Sequence, residues 1–168
     1  MALQKIELST LSFNPFTKIK NQWMLISAGN EEKWNTMTAN WGGLGVLWFE
    51  PVATAYVRHS RYTHEFTEGS DYFTLTFLQA GHQDALNLLG SKSGRDIDKM
   101  HGSGLTPAFV EGQPTFEEAE LVFICKKLYA QNIERENFKY QATLDRCYAD
   151  NDFHTMYIGE IVACYQNQ

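Results

Sequence analysis

The chain is short of cysteine, of long apolar runs and of positive charge, and each shortage closes off a class of function. Its three cysteines, Cys125, Cys147 and Cys164, are odd in number and far apart, which is no disulfide framework. No Cys-x-x-Cys occurs, and no His-x-x-x-His or His-Glu-x-x-His pairs the histidines, so a metal site has little support. His59 and His64 are i, i+5, a spacing that puts them on different faces of a helix. No apolar run approaches the roughly 20 residues of a membrane span. The start, Met-Ala-Leu-Gln-Lys-Ile-Glu-Leu, lacks an apolar h-region and a cleavage site, so a cytoplasmic location is the default expectation. With 20 acidic against 14 basic side chains, the net charge of −6 opposes non-specific binding to nucleic acid.

No repeat, low-complexity tract or Pro/Ser-rich linker interrupts the 168 residues, and the expectation is one domain over residues 1–168. Apolar alternation marks strands at Gln22 to Ala28 and Asp71 to Leu78, with Phe73, Leu75 and Phe77 on one face of the second. Leu44 to Phe49 is another apolar run, stopped by Pro51. Val52 to Arg58 alternates Ala53, Ala55 and Val57 against Thr54, Tyr56 and Arg58, so Arg58 leaves on the more polar face. Gln83 to Leu89 reads as a helix ended by Gly90. Asp96 to His101 reads as another, opened by the capping pattern Ser93-Gly94-Arg95-Asp96. Ala119 to Tyr129 fits either period, and its Val, Phe and Ile content tips it toward a strand. Phe138 to Leu144 and His154 to Tyr165 complete the β-rich remainder, with Gly159 marking a bulge or a close backbone approach. The fold class is therefore mainly β with short helices, a barrel or sandwich rather than a doubly wound sheet.

Positive charge is scarce overall yet locally sorted, since Arg58, Arg61, Lys92, Arg95 and Lys99 fall in two short segments. Arg58-His59-Ser60-Arg61-Tyr62-Thr63 lies between a strand-like run and a helix-like run. With Ser60 as helix N-cap, free N–H groups of Arg61, Tyr62 and Thr63 would join the hydroxyls and guanidinium groups in a phosphate seat. A polar loop with surface arginines is the competing account. Upstream, Trp34-Asn35-Thr36-Met37-Thr38-Ala39-Asn40-Trp41 sets amides and hydroxyls beside aromatic planes, which suits a flat heteroaromatic ring; an Asn/Thr-rich turn with a core tryptophan is its alternative. Ser91 to Lys99 again joins hydroxyls, a glycine and basic groups at a helix start, and also reads as a capped, solvated surface helix. Gly42-Gly43-Leu44-Gly45 fails the Gly-x-Gly-x-x-Gly test and is followed by strand-like sequence, so these glycines read as sites of close approach. With no Gly-x-Ser-x-Gly elbow, no catalytic residue is fixed. His154 is the one candidate, and it reads rather as a satisfied strand histidine.

Taken in order, Asn35 to Trp41, Val57 to Thr63, Ser93 to Lys99 and His154 to Ile161 resemble the flavin reductase-like family, the FMN-binding split barrels that include flavoredoxins. The resemblance spans roughly residues 20 to 165. It implies a six-stranded Greek-key barrel with added helices, working as a homodimer with FMN near the interface. It also implies flavin contacts along the ring and ribityl side from Asn35, Thr36, Thr38, Asn40 and Trp41. Arg58, Ser60, Arg61, Tyr62 and Thr63 would hold the phosphate, joined by Lys99 and Ser93. Asn40 departs from the pattern, standing where many relatives carry a small serine or alanine. Two functions follow from the resemblance: an NAD(P)H-dependent flavin reductase that passes hydride from NADH or NADPH to FMN and serves a monooxygenase or other acceptor, or a flavoredoxin-like electron carrier with resident FMN. A plain FMN-binding module is the non-redox alternative.

Overall fold

The computed structural model describes residues 3–167, the side chain of Lys99 excepted. In chain order its strands and helices are β1 (Leu3–Ile6), α1 (Pro15–Thr17), β2 (Met24–Gly29), β3 (Trp34–Ala39), β4 (Gly42–Leu47), β5 (Glu50–Arg58), α2 (Tyr62–Gly69), β6 (Tyr72–Leu78), α3 (Gln83–Ser91), α4 (Lys99–Ser103), β7 (Pro107–Val110), β8 (Gln113–Phe116), β9 (Ala119–Asn132), α5 (Gln141–Cys147) and β10 (His154–Asn167). Eight strands form one antiparallel sheet in the order β3-β2-β6-β9-β10-β5-β4, with β1 added on β10, and β7 and β8 form a separate hairpin. The sheet curls without closing, the mainly β split barrel that was expected. It contains six contiguous strands from β3 to β5, which β4 and β1 extend.

Alternation builds the interior. Ala53, Ala55 and Val57 of β5 have no exposed surface, and they meet Phe73, Leu75 and Phe77 of β6 and Tyr157 of β10 in one core. The polar residues of β6 are covered too: Thr74 donates to the Pro114 carbonyl at 2.6 Å, and Thr76 shares a 2.9 Å hydrogen bond with Thr115. The β7–β8 hairpin thus seats the face that alternation alone would leave wet, satisfying each hydroxyl that it buries. A second core joins Leu86 and Leu89 of α3 to Leu25, Leu78 and Phe116.

Gly159 is both a bulge and a close approach. The β9–β10 register shifts between Ile158 and Gly159. A Cβ there would lie 2.8 Å from the Cys125 Cβ and from two ring carbons of Phe73.

Several local expectations are corrected. Residues 138–144 are not a strand: α5 occupies Gln141–Cys147, with Leu144 its buried contact and Gln141 bonded to Asp145 one turn on. One inward residue over two turns suits a surface helix better than a strand. Gly90 lies inside the last turn of α3, which runs to Ser91. Its missing side chain lets the helix approach Thr38, whose Cβ would be 3.3 Å from a Cβ at that position. Helix α4 opens at Lys99, three residues later than the capping pattern suggests, because the Asp98 carboxylate caps the His101 N–H. Ser93 instead accepts from the Arg95 N–H. Strand β2 starts at Met24, after Trp23 takes a positive φ of 65°. Pro51 does not stop a strand but lies within β5, opposite Val46, next to a turn in which Trp48 and Phe49 both have positive φ.

Candidate functional site

Strands β5 and β10 run antiparallel with Arg58 opposite His154 and Tyr56 opposite Met156. Since Val57 and Ala55 point into the core, Tyr56 and Arg58 emerge together on the other face. There they meet His154 and the segment that follows β3. Met37, Thr38, Ala39, Asn40, Trp41, Tyr56, Arg58, Arg61 and His154 line a recess of about 240 Å³. A second recess of about 270 Å³ shares Thr38, Ala39 and Asn40 and is closed by Trp23, Leu86, Asn87, Gly90 and Ser91. A third, about 500 Å³, lies where Asn35 and Tyr62 face Gly94 and Arg95. All four predicted segments therefore meet along β3 and its extension.

Arg58, Arg61, Asn35, Thr38 and Arg95 are each held by a named partner. Arg58 donates to the Asp152 carbonyl at 2.5 Å and the Cys147 carbonyl at 3.0 Å, and lies 3.7 Å from the Asp150 carboxylate. Arg61 donates to the carbonyls of Gly90 at 2.5 Å and Leu89 at 2.9 Å, fastening α2 to the end of α3. Burial lowers the Arg61 pKa, yet a guanidinium keeps its charge at neutral pH. Asn35 donates to the Thr63 hydroxyl at 2.8 Å, and Thr38 donates to the Leu86 carbonyl at 2.6 Å. Arg95 reaches the Ser60 carbonyl at 3.2 Å, pairs with Glu65 and lies 4.9 Å over the Tyr62 ring.

His154 is buried, its Nδ1 2.8 Å from the Tyr148 hydroxyl and its ring 5.2 Å from that of Trp41. Burial, reinforced by the positive charge of Arg58, lowers its pKa to about 4, so the imidazole is neutral at physiological pH. Trp41 itself is 43% exposed, a recess wall rather than a core tryptophan.

Other predicted residues sit differently. Thr36 is fully buried and committed to Ser27 at 2.8 Å and the Ile26 carbonyl at 3.3 Å. Ser60 is not the helix cap. Arg61 occupies that position without a side-chain cap bond, and Ser60 gives both its N–H (3.1 Å) and its hydroxyl (2.5 Å) to the Asp152 carboxylate. Ser93 serves its own turn, and the Lys99 side chain lies outside the described residues. Sequence reasoning missed Tyr148 and Asp152, which have no local signal. It also missed Tyr56, which was readable because it shares the alternation phase of Arg58.

His59 and His64 are not on opposed faces. His59 precedes the helix, so the rings come within 5.1 Å and both reach the Thr155 hydroxyl, at 3.2 and 2.9 Å. Among the described residues no group of three or more His, Cys, Asp or Glu side chains is placed to hold a metal. Burial pushes the Cys164 thiol up to about 12 and the Cys125 thiol higher, which makes them packing groups rather than nucleophiles.

The sequence profile of the "Flavin reductase like domain" matches residues 16–168. The chain belongs to the flavin reductase-like family. Solved members are similar in fold. Flavoredoxin from Methanosarcina acetivorans is 23% identical, with 88% of this chain and 69% of that chain covered and a TM-score of 0.66. An FMN-binding domain of a flavin reductases-like enzyme from Shewanella baltica OS155 is 19% identical, with 98% and 77% covered and a TM-score of 0.68. The styrene monooxygenase flavin reductase of Pseudomonas putida S12 is 18% identical, with 88% and 80% covered and a TM-score of 0.63. No curated protein sequence matches this family member significantly.

Proposed function

We propose that the protein is a flavin-binding oxidoreductase that takes FMN and uses NADH or NADPH as hydride donor. The observation that carries this reading is the convergence of Arg58, Arg61, Trp41, Tyr56 and the 38–40 segment on adjoining recesses, in a chain of the flavin reductase-like family. Their chemistry fits the cofactor: flat apolar and aromatic walls for a tricyclic ring, with two guanidinium groups for an anionic tail. Asn35, Thr38, Asn40 and Trp41 are assigned to the ring and ribityl side. Arg58, Ser60, Arg61, Tyr62 and Thr63 are assigned to the phosphate side, with Ser93 and Lys99 from the third segment. Thr36 shapes the strand from within, its hydroxyl being already used.

Bound FMN would supply the redox chemistry, accepting two electrons as hydride from reduced nicotinamide and passing them to an acceptor. The chain's own part is grip, orientation and electrostatics. Charge-assisted bonds to a phosphate contribute about 1.5–3 kcal/mol each before ordering costs. Burial raises the Tyr148 pKa, so its hydroxyl stays protonated and shares a hydrogen bond with His154 Nδ1. The imidazole itself is neutral and stands beside Trp41.

A homodimer is part of the proposal. Among the described residues strand β4 ends the sheet unpaired on one side, and Val46 (78% exposed), Trp48 (52%) and Phe49 (101%) are exposed on its hairpin, an apolar patch that a second copy would cover. Sedimentation of wild type against Phe49→Glu tests it, a monomer in both cases removing the dimer.

The electron-carrier reading is favoured by the flavoredoxins among the fold neighbours. Steady consumption of NADH or NADPH by purified protein plus free FMN establishes the reductase. Bleaching of bound flavin only by another reduced protein establishes the carrier. Failure to bind flavin at all ends both.

A further inference from the structure

The turn between Tyr148 and Phe153 holds a negative charge against the residues assigned to the flavin phosphate. It is firmly placed. The Tyr148 and Phe153 rings stack at 4.7 Å, Arg135 pairs with Asn151, and Asn151 takes a positive φ of 60°. The Asp152 N–H is held by the Asp150 carboxylate at 3.1 Å. From this frame Asp152 extends one carboxylate to Ser60, taking the N–H with Oδ1 and the hydroxyl with Oδ2. Two bonds from adjacent donors to two oxygens of one anion are what a phosphate group would also receive there. Ser60 stands between Arg58 and Arg61, both of which line the recess. The Asp152 charge is also felt at Arg61 and at His154.

We propose that Asp152 is a specificity-setting residue for the flavin tail, an internal anion on the Ser60 end of the phosphate seat that disfavours a dianionic monophosphate relative to an uncharged tail. The proposal rests on the flavin reading above. A monophosphate carrying nearly two charges either displaces this carboxylate or settles beside it, and both cost affinity through like-charge repulsion. Riboflavin, with the same ring and a hydroxyl end, meets no such repulsion. Asp152 therefore narrows the advantage that Arg58 and Arg61 give to FMN.

The test is the dissociation constants of FMN and riboflavin, measured by flavin fluorescence for wild type, Asp152→Asn and Asp150→Asn. Asparagine keeps an acceptor for Ser60 while removing the charge. Asp150→Asn removes the same charge from the same turn, but not from Ser60. Expected for Asp152→Asn is FMN binding tighter by about tenfold with riboflavin changed less than about twofold, and a clearly smaller change in that ratio for Asp150→Asn. An unchanged or reduced preference for FMN in Asp152→Asn overturns the proposal and makes Asp152 a structural tie. An equal shift in both variants overturns it too, because the net charge of the turn would then suffice. Should Asp152→Asn not fold, Asp152→Ser is measured in its place against the same criteria. If wild type binds FMN but the ratio does not move, only this inference falls. If wild type binds neither flavin, the flavin reading falls with it.

Discussion

The two faces of the β5–β10 pair make opposite use of neighbouring residues. On the inner face Ala53, Ala55, Val57, Tyr157 and Gly159 pack against β6 and β9 without a gap for even one added methyl at Gly159. On the outer face Tyr56, Arg58 and His154 line a recess and are fixed by hydrogen bonds and ring contacts to later parts of the chain. Adjacent positions in one strand thus answer to different forces, close packing on one side and polar partnership on the other. The inner face sets where the outer side chains stand, and the outer face sets what they can do.

Breaking the inner face has the largest expected effect. Gly159→Val brings a Cβ to 2.8 Å from the Phe73 ring and the Cys125 Cβ, and should cost about 3 kcal/mol or leave the protein unfolded. Urea denaturation measures it, and a near-wild-type midpoint would show that the core can yield. On the outer face, Arg58→Ala combined with Arg61→Ala is expected to strip flavin from the purified protein while it stays folded. The stability loss should be about 1–2 kcal/mol per arginine from the carbonyls left without donors. Retained stoichiometric yellow colour would refute the assignment of these arginines.

The pH response separates the faces more finely. His154 has its pKa lowered from 6.5 to about 4, so the unfolded chain binds the proton that the folded one refuses. Its contribution to stability is complete above about pH 6.5 and is lost as pH falls toward 4. His64, lowered by burial, acts in the same sense. The unfolding midpoint of His154→Gln should accordingly fall less steeply over this window than that of wild type, and parallel curves would mean that the imidazole is already solvated. The smallest effect is expected for Tyr148→Phe, which removes one hydrogen bond to His154 at a cost of about 1 kcal/mol. Its sharper readout is the imidazole titration by NMR, which should shift while the overall fold is kept.

Alternation made most of the sheet legible, since residues two apart share a face whatever lies beyond them. It placed Arg58 on the outer side of β5, while the glycine inside the last strand marked residue 159 as an irregular point. It failed at α5, where a single inward leucine leaves no strong period to read. The order of the polar segments was informative as well, because they do converge along β3. What could not be read was the partner of each charge. Ser60 looks like a helix cap in isolation, but Asp152, 92 positions later, outbids the helix for its hydroxyl. Asn35 and Thr63 satisfy one another from separate elements for the same reason. Long-range pairing decides which polar groups stay available, and a local window contains no trace of it.

Strand β10 carries its imidazole five residues before the glycine wedged under Phe73. Sliding the strand to reposition that ring would drive backbone into an aromatic side chain, so the fold behaves as a vice with the histidine mounted on its jaw. An engineer wishing to retune the chamber must therefore exchange the furniture around it, Tyr148 or Trp41, and leave the mounting alone.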